Sequence, residues 1–174
     1  FVDEAAQMSL ANVLAISQAA RTLVLLGDPQ QLDQPTQGTH PDGTGVSALD
    51  HILDGAQTIS PCQGLFLEQT WRLHPDICEF NSELFYDAKL TSHSDCGKQV
   101  LHATGSISGT GLRYLPVSHT GNKSSSIEEA DAVLALIENI LASGMEWSDR
   151  EGNKHPVMLE DIIIITPYNA QVFE

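Results

Sequence analysis

The sequence predicts an α/β fold, with parallel sheets covered by helices on both faces in three layers. Two observations carry this. Short continuous apolar runs such as "TLVLLGD" and "DIIIIT" have the pattern of strands buried on both sides. Between them lie longer stretches with apolar residues at helical spacing, so strand and helix alternate along the chain. The 174 residues suffice for one good core, or for parts of two smaller ones.

Taken in order, Phe1-Val2 reads as the tail of a strand that ends at Asp3-Glu4. Met8, Ala11, Leu14 and Ala15 recur at helical spacing and predict a helix over 8–20. A buried strand over 22–27 follows, then a long Pro/Gly/Thr/Gln-rich loop over 29–45. "VSALDHIL" predicts a short helix and "GLFLEQTWR" a strand. Pro75 opens a helix carrying Ile77, Phe80, Leu84 and Phe85 on one face. The polar stretch Thr91–Gly111 reads as a surface connection, and "GLRYLPV" as a strand. Ser126 with Glu129 three residues on forms a capping box, opening a helix that Gly144 stops. "WSDREGNKHP" is turn-like; Ile162–Ile165 is a strong buried strand that leads into a last helix. A domain boundary fits best between Leu67 and Pro75.

Composition narrows the class. A hydrophobic fraction of 41% is globular, and no apolar run approaches the roughly 18 residues of a membrane span. No leader-like segment is evident. The first residue is not Met and already reads as strand, so the expectation is an internal segment of a longer protein. Cys62, Cys78 and Cys96 are odd in number, widely spaced and form no CxxC, which fits a reducing cytoplasm. The seven histidines form no metal-type pair. Eight basic residues against 23 acidic ones give a formal charge of −15. That balance weighs against nucleic-acid binding by these residues alone, since phosphate contacts need Lys and Arg.

Four stretches could carry chemistry. Asp3-Glu4 at a strand end matches the Walker B arrangement, in which Asp holds Mg²⁺ and Glu polarises water; a helix N-terminus favouring acids is the alternative. "LVLLGDPQQL" places the Gln31 amide at the end of a second buried strand, along the edge where open α/β sheets bind ligands. On its own Gly-Asp-Pro is also an ordinary turn. Arg72 ends an apolar run and could neutralise charge on a γ-phosphate, or simply pair with a nearby acid. "IIIITPYNAQ" offers Thr166, Tyr168 and Gln171 at one strand exit, where Tyr168 could stack on a base or pack on the next helix.

In this order, "VDEAAQ", "GDPQQLDQPTQG", "LEQTWRLHPDICEFNSELFYDAKL" and "ITPYNAQV" resemble superfamily 1 helicases of the 5′→3′ class. The phrasing is most similar to bacterial proteins that fuse this motor to a RecB-like nuclease domain. The resemblance implies RecA-like (P-loop NTPase) domains, ATP and Mg²⁺ as cofactors, and single-stranded nucleic acid as partner, DNA favoured over RNA. It implies that residues 1–71 are the C-terminal half of one RecA-like domain and 72–174 the N-terminal part of the next. By the same likeness Asp3 would coordinate Mg²⁺ and Glu4 would be the general base. Gln31 would sense the γ-phosphate, and Arg72 would be the γ-phosphate arginine. Thr166, Tyr168 and Gln171 would line the single-strand track.

The chain departs from the family at Asp33, where "QQLDQ" stands for the usual "QQLPQ"; Pro35 lies two residues on. No GxxxxGK[ST] occurs, so the chain alone is expected to be inactive. A nucleotide-dependent switch or scaffold on the same fold is the alternative function.

Overall fold

The computed structural model describes residues 1–31, 44–103 and 107–174. Asp33 and Pro35 lie outside them. The chain divides into two compact units, residues 1–68 with 81–90 and residues 69–80 with 91–174.

In the first unit, Val2 and Leu25 form a parallel bridge. The Val2 N–H donates to Val24 O, and the Leu26 and Ala5 N–H groups donate to Val2 O and Leu26 O, each at 2.8 Å. Ser9 caps helix α1 (Leu10–Ser17) by accepting from the Asn12 N–H at 3.4 Å. Helix α2 (Ala48–Leu53) is capped by Ser47, which accepts from the Asp50 N–H at 3.0 Å. The two helix starts are tied by Leu10 N–H to Val46 O and Ala48 N–H to Met8 O. Val2, Ala5, Ala6, Val13 and Ala48 are buried, so this core is made largely of small side chains that bring backbones close together.

In the second unit, β1 (Gln69–Thr70) pairs in parallel with β2 (Thr91–Ser92). Helix α3 (Pro75–Phe85) gives its first six residues to this unit and its last five to the other. A 3₁₀ turn (Ser94–Lys98) leads into β3 (Val100–His102). Helix α4 (Ile127–Ala142) is followed by β4 (Glu146–Ser148) and β5 (Lys154–Pro156). These strands form an antiparallel sheet in the order β3-β4-β5, with Trp147 opposite both Leu101 and His155. The β4–β5 turn is locked by Asp149, which accepts from the Asn153 N–H at 2.8 Å and faces His155 at 2.9 Å. The His155 contact, ahead of the Asn153 bonds, holds the Asp149 carboxyl well below the usual carboxylate range. A short helix, α5 (Asn169–Val172), closes the chain.

The α/β class and its parallel pairing are as the sequence predicts, but several elements differ. Helix α1 is shorter than 8–20. The strand read over 22–27 pairs through a single bridge. The "polar connection" 91–111 and the "turn" 147–156 supply the three strands of the antiparallel sheet apart from Glu146, because strands of three residues are too short to show the apolar run that betrays a buried one. "GLRYLPV" and Ile162–Ile165 are not in strands; Ile163 and Ile165 are 82% and 88% exposed. A β-branched run becomes a strand only where a neighbour completes its ladder, and no described residue does so here.

Candidate functional site

The first unit brings two of the sequence-predicted stretches together. The parallel Val2–Leu25 pairing means both segments leave the same edge, so Asp3-Glu4 and Asp28–Gln31 emerge side by side. Asp3 and Glu4 are both exposed there. Asp3 Oδ1 accepts from the Glu4 N–H at 3.1 Å, and Glu4 holds φ +52°. That left-handed conformation costs a non-glycine residue about 1 kcal/mol or more, and such strain is concentrated at functional sites. Gln7 N–H donates to Glu4 O at 2.9 Å and closes the turn.

Gly27 explains why the second segment ends in glycine. A Cβ on it would lie 3.0 Å from Ala5 N and 3.1 Å from Ala6 N. The backbone after the acidic pair therefore packs directly on this glycine, and Ala5 is fully buried. Beyond it, Asp28 Oδ1 accepts from the Gln30 N–H at 3.1 Å, an Asx-type turn. Asp28 Oδ2 accepts from Gln31 Nε2 at 3.3 Å, so Gln31 is exposed but loosely tethered.

Two exposed carboxylates on one edge are hard oxygen donors of the kind Mg²⁺ takes, usually one or two from protein beside phosphate and water. Among the described residues no group of three or more His, Cys, Asp or Glu gathers to hold a metal. The donor set thus fits an ion shared with a phosphate ligand better than one caged by protein.

The second unit holds the remaining predicted residues. Arg72 is exposed, and its N–H donates to Thr70 Oγ1 at 3.3 Å. Beside it Trp71 stacks on His93 with ring centroids 3.6 Å apart. His74 caps α3, its Nδ1 accepting from the Asp76 N–H at 3.1 Å. Thr166 Oγ1 accepts from the Tyr168 N–H at 3.5 Å, and Tyr168 is 55% exposed. Gln171 has its amide committed: Oε1 accepts from the Ser126 N–H at 2.5 Å, and Nε2 donates to Ser126 O at 2.9 Å. A separate apolar cavity of about 460 Å³ is lined by Leu101, Ile140, Trp147, Val157 and Ile162 and contains none of the predicted residues.

Sequence reasoning missed Tyr86. Its hydroxyl donates to Asp28 Oδ2 at 2.7 Å. The signal, a Tyr followed by Asp at a helix end, is too common to single out without the fold.

Comparison with known proteins places these geometries in context. The AAA domain family matches residues 46–174. Helicase sen1 of Schizosaccharomyces pombe is 27% identical over 99% of this chain and 10% of its own length. The DNA polymerase alpha-associated DNA helicase A of the same organism is 26% identical over 98% of the chain and 26% of its own length. A probable helicase with zinc finger domain from Mus musculus is 27% identical over 99% of the chain and 9% of its own length. The chain thus spans between 9% and 26% of the length of these relatives. No solved structure matches the chain at comparable significance.

Proposed function

This chain belongs to the AAA domain family, and from that premise we propose that it is part of an ATP-driven superfamily 1 helicase or translocase acting on single-stranded nucleic acid, DNA in preference to RNA. The observation that carries the reading is the parallel pairing that sets Asp3-Glu4 and the Asp28–Gln31 turn on one edge. The helicase names of its relatives support it. In this reading residues 1–71 and 72–174 are halves of two successive RecA-like domains, and a fused nuclease domain outside these residues and a cytoplasmic setting belong to the same proposal.

Asp3 holds Mg²⁺, which when bound supplies charge neutralisation at the phosphates. Glu4 orients and deprotonates the attacking water. Gln31 offers a neutral amide to the γ-phosphate: it donates without the repulsion a carboxylate would bring, and its weak tether to Asp28 lets it move. Arg72 is assigned as the γ-phosphate arginine. Thr166 and Tyr168 face the nucleic-acid strand, while Gln171 holds their segment against Ser126.

In the full-length protein Glu4→Gln is expected to retain ATP binding and to lower turnover at least about a hundredfold. Hydrolysis is measured with and without single-stranded DNA or RNA. Stimulation by one of them that is lost in the variant supports the motor and names its track; near wild-type hydrolysis by the variant removes the Glu4 assignment. The switch or scaffold reading is favoured by the charge of −15, which opposes a phosphate backbone. Hydrolysis indifferent to both nucleic acids would select it.

A further inference from the structure

The sensor turn is closed by its own bonds to Asp28, and residues far away in sequence brace it from both sides. On one side the Tyr86 hydroxyl donates to Asp28 Oδ2, the same oxygen that accepts from Gln31 Nε2. On the other, Gln30 Nε2 donates to Gln57 O at 3.3 Å. The two sides are themselves joined. Gln57 Nε2 donates to Leu84 O at 3.0 Å, and the Asp87 N–H donates to Gln57 Oε1 at 3.2 Å. Thr58 donates to Asp87 Oδ2 at 2.5 Å and accepts from Lys89 Nζ at 2.6 Å. Asp87 and Ala88 both sit at positive φ, so the turn after α3 adopts a conformation that these bonds must maintain. Tyr86 is half-buried against Phe66, with ring centroids 6.0 Å apart.

We propose that Tyr86, acting through Asp28, is a positioning residue that sets the reach of Gln31 toward the γ-phosphate. The proposal rests on the ATP-hydrolysing reading above. Asp28 Oδ2 is shared by two donors. Tyr86, at 2.7 Å, is the closer and fixes the carboxylate; Gln31, at 3.3 Å, is the looser and can exchange its bond for a phosphate oxygen. Without the phenol hydroxyl Oδ2 loses its closer donor and is left to Gln31, while Oδ1 still accepts from the Gln30 N–H. The amide is then withdrawn from the phosphate. Burial, and then the bond to Asp28, push the Tyr86 phenol well above its ordinary range, the direction that favours the protonated hydroxyl that donates to Asp28.

The test uses the full-length protein with Tyr86→Phe, Gln31→Ala and the double variant. Phenylalanine keeps the ring contact with Phe66, so the variant should fold. Expected is a fall in kcat of about tenfold with the KM for ATP nearly unchanged, and no further fall when Tyr86→Phe is added to Gln31→Ala. Multiplying losses in the double variant, or an unchanged kcat in Tyr86→Phe, would overturn the proposal. Hydrogen exchange at the Gln30 and Gln31 amides supplies an arm independent of catalysis. It should speed up in Tyr86→Phe while α1 and α4 exchange as before; unchanged exchange also overturns the anchoring. A wild-type protein that hydrolyses no ATP defeats the underlying reading instead, and the exchange arm alone then decides whether Tyr86 holds the turn.

Discussion

Gly27 shows how one atom can decide a site. Its missing Cβ lets the Ala5 and Ala6 nitrogens come to 3.0 and 3.1 Å of where a methyl group would be, and its φ of +157° is rarely adopted by L side chains. Gly27→Ala must push the Asp3-Glu4 turn and the Asp28 turn apart or strain both. We expect a loss of about 1–3 kcal/mol in urea unfolding, because the two nearest atoms it meets are backbone and cannot swing away, with the Leu49 side chain third at 3.2 Å. A loss below about 0.5 kcal/mol would mean that the two turns are not in fixed contact. The acidic pair and the Gly-Asp-Pro-Gln-Gln run were legible in the sequence because each lies at the end of an apolar stretch. Tyr86 was not. It is 58 residues from its partner Asp28, and only the fold makes that distance small.

At the level of single elements, the start of α4 separates what a local pattern encodes from what the tertiary structure supplies. The capping box read from Ser126 and Glu129 is half formed. Ser126 Oγ accepts from the Glu129 N–H at 3.2 Å as expected. The return bond, from the Ser126 N–H, goes to Gln171 on α5. Glu129 lies instead 3.4 Å from His119, an exposed contact. Glu128 fills the space, accepting from Ser126 Oγ and from Asn122; its own backbone N–H, then these bonds, hold its carboxyl below the usual range. The two readings rank two variants in opposite order. Gln171→Ala strips a half-buried N–H of its partner and should cost about 1–2 kcal/mol, whereas Glu129→Ala should cost less than about 0.5 kcal/mol. Thermal unfolding of both variants decides, and the reverse ranking would restore the box. Helices were legible from apolar spacing, but of the three capping serines only Ser126 reads as a cap; Ser9 and Ser47 fall inside the stretches that read as helix. Strands were less so. The sheet β3-β4-β5 is built of three-residue strands, while the apolar run 22–27 pairs through a single bridge and Ile162–Ile165 is not in a strand.

For the chain as a whole, two surface properties act against each other. Leu65 and Leu67 in one unit, and Tyr114, Ile163, Ile164 and Ile165 in the other, are all more than 60% exposed, and contiguous apolar surface of the kind the isoleucine run offers is commonly covered by a partner. Self-association would bury part of it at about 25 cal/mol per Å². Against that stands a formal charge of −15, spread over a surface with few cations, so two copies repel at low salt. The repulsion is screened over about 10 Å at 0.1 M salt and about 3 Å at 1 M, while the apolar attraction is not weakened by salt. Residues 1–174 alone should therefore scatter light as monomers in dilute buffer and associate progressively as sodium chloride rises toward about 1 M. The same charge predicts no binding of a fluorescent single-stranded oligonucleotide at any salt, since dilute buffer leaves the repulsion unscreened and concentrated salt removes what counterion release could offer. Scattering that stays monomeric at high salt would show that the isoleucine run is covered in solution. Oligonucleotide binding in dilute buffer would show that Thr166 and Tyr168 grip the strand without help from a basic surface.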